Sequence, residues 1–126
     1  MKSGKISRSI DKPVEGFTFK REGYEIYISY IDSKSIKLVE VTNGDNNSTE
    51  YEYNLYNYYG SIDSYEELVS KAISLKYSIE EELSLMAKAI TDSTNKEYKE
   101  YRDFVDLCKT ECNNKYLDLG LIKKEI

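Results

Sequence analysis

The sequence predicts an α+β fold: a small antiparallel β-meander of three to four strands, followed by two to three α-helices. Three observations carry this. Apolar residues recur at every second position up to about residue 60, and at every third or fourth position beyond it. Each of the three later apolar stripes is preceded by Ser or Thr with Glu three residues on, the signature of a helix start. The links between the early extended segments are all short, as antiparallel neighbours require.

The first twelve residues set Lys2, Lys5, Arg8 and Lys12 against Asp11 alone, and read as a basic, solvated N-terminal arm (residues 1–12). In "EGFTFKREG", Phe17 and Phe19 share one side, and a glycine-bounded turn follows. "GYEIYISYID" places Tyr24, Ile26, Ile28 and Tyr30 on one face of a strand and Glu25, Tyr27 and Ser29 on the other. After the short turn "IDSKS", the segment "SIKLVEV" is rich in β-branched residues, and "TNGDNNST" (residues 42–49) reads as a hairpin loop. In "EYEYNLYNYYG", Tyr51, Tyr53, Leu55 and Tyr59 share one face, which alternates with polar residues and is the expected core side. Glu52, Asn54, Tyr56 and Tyr58 share the other. Tyr56 and Tyr58 admit two readings: packing under the helices or at a sheet edge, or an exposed contact surface, since Tyr is enriched at interfaces.

The helical half follows. "SYEELVSKAISLKY" opens with Ser64-x-x-Glu67 and carries Leu68, Val69, Ala72, Ile73 and Leu75 at helical spacing. "SIEEELSLMAKAI" opens with Ser78-x-x-Glu81 and sets Ile79, Leu83, Met86, Ala87 and Ile90 on one stripe. A third segment opens with Thr94-x-x-Glu97, carries Tyr98, Tyr101, Val105, Cys108 and Cys112, and reaches Gly120 as a C-terminal cap. Short joints (residues 76–78 and 91–95) make consecutive helices close neighbours. One domain is expected, with a β-sheet part over 13–60 and a helical part over 61–126.

A chain of 126 residues, 40% hydrophobic and 33% charged, is the size and composition of one globular domain. No apolar stretch approaches the ~20 residues of a membrane-spanning helix. No apolar run follows the basic N-terminus, so it does not read as a signal peptide. Residence in the cytoplasm, or in a particle assembled there, is expected. With 23 acidic against 18 basic residues and a net charge of −5, nonspecific nucleic-acid binding is disfavoured. Histidine is absent, which removes the usual general base, the imidazole ligand and Ser–His or Cys–His nucleophile pairs.

Cys108 and Cys112 lie four apart, hence on one helix face. Without a third Cys or any His they do not make a zinc set, and a disulfide within one helical turn has poor geometry. They read as buried, reduced thiols. Glu80, Glu81 and Glu82 are explained by their place at a helix start rather than as a catalytic carboxylate pair. Asp45, Asn46 and Asn47 lack the offsets of a calcium loop, and no phosphate loop or nucleophile elbow occurs. No catalytic, cofactor-binding or metal-ligating residue is assigned, and no cofactor is expected. The candidate site is a protein-contact surface: Tyr51, Tyr53, Tyr56, Tyr58 and Tyr59.

The helical half resembles a segment found in small proteins encoded among bacteriophage and prophage tail and baseplate genes. The matching features are Tyr65 with Leu68 and Val69, the run Lys76-Tyr77-Ser78, the acids before Leu83, and Tyr98 to Tyr101 leading to Cys108 and Lys109. This covers about half of the chain. It implies a structural or assembly protein of a phage tail, baseplate or phage-tail-like particle, with the particle's protein subunits, or further copies of itself, as partners and the virion as its location. The alternative is a small acidic inhibitor, an anti-defence or toxin-immunity protein, that covers a basic surface of its target. An inhibitor of that kind would gather its acids on one face, whereas here they are scattered through all six predicted elements.

Overall fold

A computed structural model describes residues 2–124. A five-stranded antiparallel sheet precedes three helices, so the α+β fold is as predicted, with one strand more. The elements are β1 (Lys5–Ser9), β2 (Gly16–Glu22), β3 (Glu25–Ile31), β4 (Lys37–Asn43), β5 (Asn46–Ser61), α1 (Tyr65–Ser74), α2 (Ile79–Thr91) and α3 (Lys96–Lys115).

The 16-residue β5 is the spine of the sheet. Its C-terminal half pairs with β3, from Ile31↔Leu55 to Glu25↔Ser61, and its N-terminal half with β4, from Lys37↔Glu52 to Asn43↔Asn46. β3 and β4 are thus one long strand, broken where residues 32–36 stand opposite Tyr53 and Asn54 alone. A 3-10 turn, Ser33–Ser35, absorbs the extra residues. Asp32 accepts from the Lys34 amide at 3.0 Å, and Ser35 Oγ accepts from the Asn54 amide at 3.1 Å, so the break stays fastened to β5. At the far end Asn43 and Asn46 still pair. That leaves a two-residue link with Gly44 at φ 66°, the geometry of a primed hairpin turn. The loop expected over 42–49 is shorter because polar residues there continue the ladder.

β1 pairs with the opposite side of β5, Lys5↔Leu55 to Ser9↔Tyr51. The basic N-terminal stretch is therefore a strand over Lys5–Ser9 and not a solvated arm. Two of its cations find partners: Arg8 reaches Glu52 at 2.9 Å, and the Lys2 ammonium reaches the Ser74 carbonyl at 2.6 Å. Lys37, on the strand across β5, meets the same Glu52 at 3.2 Å.

Two of the three expected caps are in place. Ser78 makes a full capping box with Glu81, and Ser64 accepts from the Glu67 amide at 3.2 Å while Glu67 turns to the Asp63 amide. The third cap moves by one residue: Asn95, as good an N-cap as Thr, accepts from the Tyr98 amide at 3.0 Å, and Thr94 donates to Asp92 instead. Gly120, at φ 73°, closes a further turn beyond α3 rather than α3 itself.

The core joins one sheet face, from Ile26, Ile28 and Tyr56, to α1 (Leu68, Ala72) and α3 (Tyr101, Phe104, Cys108). Each such large apolar side chain contributes roughly 1.5–3 kcal/mol on burial. α2 gives this core only Leu85. The apolar stripe read from the sequence lies outside the core: Ile79, Leu83, Met86 and Ile90 all face solvent, as does Ala87. α1 and α3 already supply the helical side of the core. α2 meets α3 through a different edge, where Tyr101 Oη donates to Glu82 Oε1 at 2.6 Å.

Candidate contact surface

The register of β5 with β3 decides which tyrosines are core. Tyr56 stands opposite Tyr30 and Tyr58 opposite Ile28, so both share the helix-covered face. Tyr56 is 9% exposed, lies near the Tyr30 ring (6.2 Å between centroids) and presses on Gly4, where any Cβ would stand 3.0 Å from its ring. Tyr58 lies over Gly60, whose missing Cβ leaves the space for it, beneath the Lys71 ammonium of α1 at 5.0 Å. The contact reading is corrected for these two: they pack within the molecule.

Tyr51, Tyr53, Leu55 and Tyr59 share the other face, as the alternation requires, but that face is the open one. None of them belongs to the helix-packed core. The expectation that they line the core side is thus reversed. The alternation in β5 distinguishes two faces without saying which one the helices take. β3 decides that, because its Ile26 and Ile28, both 0% exposed, can only be buried on the side shared with Tyr56 and Tyr58.

On the open face Tyr59 stands opposite Tyr27, Leu55 opposite Ile31, and Tyr51 opposite Leu38. Tyr59 is 53% exposed and Leu38 62%, and the others are half-buried by their sheet neighbours. Charges stand at the rim. Lys20 pairs with Glu22 at 3.3 Å, and Glu25 holds the Tyr59 hydroxyl, a hydrogen bond that pushes its pKa above the usual phenol value. An uncharged, tyrosine-rich centre within a charged rim is the anatomy of a protein interface. Large rings with few rotamers and a polar tip suit that use. The link between β1 and β2, residues 10–15, leaves Ile10 and Val14 exposed.

Among the described residues, two adjoining clefts lie on the α2–α3 side. One, of about 270 Å³, is lined by Glu81, Lys88, Glu97 and Glu100 around Tyr77. The other, of about 460 Å³, shares Tyr77 and Glu100 and adds Asp32, Lys34 and Asp103. In it the Lys76 ammonium sits 4.9 Å from the Phe104 ring and 5.6 Å from that of Tyr30. Burial, with Asp32 close by, pushes the Tyr30 hydroxyl up to about 12.

Cys108 and Cys112 are buried free thiols, as expected. Burial raises both, Cys112 to about 12, so neither is a thiolate nucleophile near neutral pH. No described helix is long and apolar enough to cross a membrane.

Compared with protein-family models, with curated proteins and with solved structures, the chain gave no match. The surfaces themselves therefore carry the functional reading. Of the five tyrosines singled out from the sequence, Tyr51, Tyr53 and Tyr59 lie together on the open face. Tyr27, Ile31 and Leu38 complete it and were not singled out. The signal for Tyr27 was present, since it alternates with Ile26 and Ile28, but only strand pairing sets it beside Tyr59.

Proposed function

We propose that the protein acts by protein–protein contact, without catalysis, through the open sheet face centred on Tyr53 and Leu55. The observation that carries this is a tyrosine-rich sheet face, its charges (Lys5, Lys20, Glu22 and Glu25 among them) kept to the flanking strands and strand ends, that its own helices leave unused. The partners we assign are protein subunits of a phage tail, baseplate or related particle, and that assignment is supported by the resemblance of the helical half. The test replaces Tyr51, Tyr53 and Tyr59 together by Thr, which keeps strand propensity. The melting temperature should move by only a few degrees while co-assembly with particle subunits falls sharply, since interface tyrosines commonly contribute more than ~1 kcal/mol each. Normal incorporation of the triple variant into purified particles would overturn the proposal.

The inhibitor reading draws on a different observation: Asp32, Glu81, Glu97, Glu100 and Asp103 gather along the two adjoining clefts. If those acids cover a basic target, Glu97→Gln with Glu100→Gln should abolish inhibition while the tyrosine triple leaves it intact.

A further inference from the structure

The exposed stripe of α2 has no role in the fold or in the sheet-face contact. Ile79 is 73% exposed, Leu83 62%, Met86 44% and Ile90 87%. Their spacing of four, three and four residues puts them on one side of the helix, in the pattern of a coiled-coil seam. Leu85 and Glu82, which meet α3, lie on a different side. Four large apolar side chains in a row form a continuous patch, unlike the single exposed residues normal for a surface.

We propose that α2 pairs antiparallel with α2 of a second copy of this chain, about a two-fold axis near Ser84 and Leu85. The spacing reads the same in both directions. An antiparallel partner therefore sets Ile79 against Ile90 and Leu83 against Met86, so one stripe is complementary to itself, as a two-fold contact requires. Charge selects the same direction. The acids Glu80, Glu81 and Glu82 fill the first turn of α2, and its one cation, Lys88, lies in the last. A parallel pair would set the three acids beside three acids. An antiparallel pair separates them, setting Glu80 and Glu82 near the partner's Ala89 and Ala87, while Lys88, on the side of α2 away from the stripe, stays with Glu97 of its own chain at 3.2 Å. The area fits: burying both stripes removes on the order of 1,000 Å² from water, the low end for specific association. A lipid surface is the poorer occupant, because the flanking charge is acidic where an interfacial helix carries Lys and Arg.

Analytical ultracentrifugation of the intact chain over a range of concentrations should show a reversible monomer–dimer equilibrium. Leu83→Lys should raise the dimer dissociation constant more than ~100-fold, because each two-fold contact contains the substitution twice. Its melting temperature at high dilution should stay close to that of the parent, since Leu83 is 62% exposed and lies outside the core. Orientation is read separately by mixing Ile79→Cys and Ile90→Cys chains under mild oxidation, with the native thiols buried. Disulfides between the two different variants support the pairing. Disulfides only between identical variants would overturn the antiparallel arrangement. A parent chain that stays monomeric at ~100 μM, a concentration weak by the standards of specific complexes, would overturn the proposal outright. So would vesicle binding that Leu83→Lys abolishes in a chain that never dimerises. The sheet-face variants should dimerise normally, so either proposal can fail alone.

Discussion

Truncating Tyr56 to Ala tests which face of β5 is the core. The ring is 9% exposed, packs beside Tyr30 and against Gly4, and has the Lys76 ammonium 5.8 Å from its centre. Removing a buried aromatic ring typically costs ~3–5 kcal/mol, from lost transfer energy and from the cavity left behind. The low end applies here, because Tyr carries a hydroxyl and the Lys76 side of the site is wet. For a chain of this length an unfolding entropy of ~2.1 cal/mol/K per residue makes each kcal/mol worth about 4 °C, so ~3 kcal/mol lowers the melting temperature by ~12 °C. Tyr53→Ala is the control. It stands three residues away on the same strand, half-buried on the open face, and loses only cross-strand contacts worth less than ~1 kcal/mol. Calorimetry on both variants, at a concentration where the parent is monomeric, gives the comparison. If Tyr53→Ala proved as damaging as Tyr56→Ala, the assignment of faces would be refuted.

Other expected outcomes are local. Ser78→Ala should cost about 1 kcal/mol by thermal melt, and Asn95→Ala a similar amount, whereas Thr94→Ala should cost less because Thr94 caps nothing. Tyr101→Phe removes a hydrogen bond to the Glu82 carboxylate and should lower stability in urea by about 1.5 kcal/mol. Glu52 is held below the usual carboxylate range by hydrogen bonds from Arg8 and then Lys37. The support it gives β1 is present above pH 4.5 and lost as pH falls through its lower folded value, which amide exchange across Lys5–Ser9 should report. The buried thiols work in the opposite direction: the folded state keeps them protonated while the unfolded chain ionises them near 9, so stability should decline as pH rises past that value.

The elements were legible because their signals are local. A period of two, a cap three residues before a glutamate, and an Asn-Gly pair each act within one turn of chain. The cap of α3 slipped by one residue for the same reason: Thr94 and Asn95 are chemically near-equal there, and only the backbone path selects Asn95. What the sequence could not carry was the choice of partner for each apolar face. Ile79, Leu83, Met86 and Ile90 have the same pattern whether the core or solvent covers them, and the crowding of α1 and α3 on the sheet leaves them outside. β1 escaped notice because Lys5–Ser9 is an edge strand of polar and charged residues, held by ladder hydrogen bonds and by Glu52 rather than by an apolar face. Of the candidate site, the residue type was legible and the face was not. Tyr51, Tyr53 and Tyr59 separate from Tyr56 and Tyr58 only once the Ile26 and Ile28 side of β3 is known to be buried.

Site-specific photo-crosslinking tests the central claim most directly. A photoreactive phenylalanine analogue at Tyr59, 53% exposed on the open face, is compared with the same group at Tyr24, 92% exposed in a turn outside that face. Both chains are expressed beside the particle genes, and adducts are identified by mass. The account expects one discrete protein adduct, a particle subunit, from position 59 and none of that mass from position 24. The same adducts from both positions, or none from position 59 while the chain is present in the particles, would contradict it.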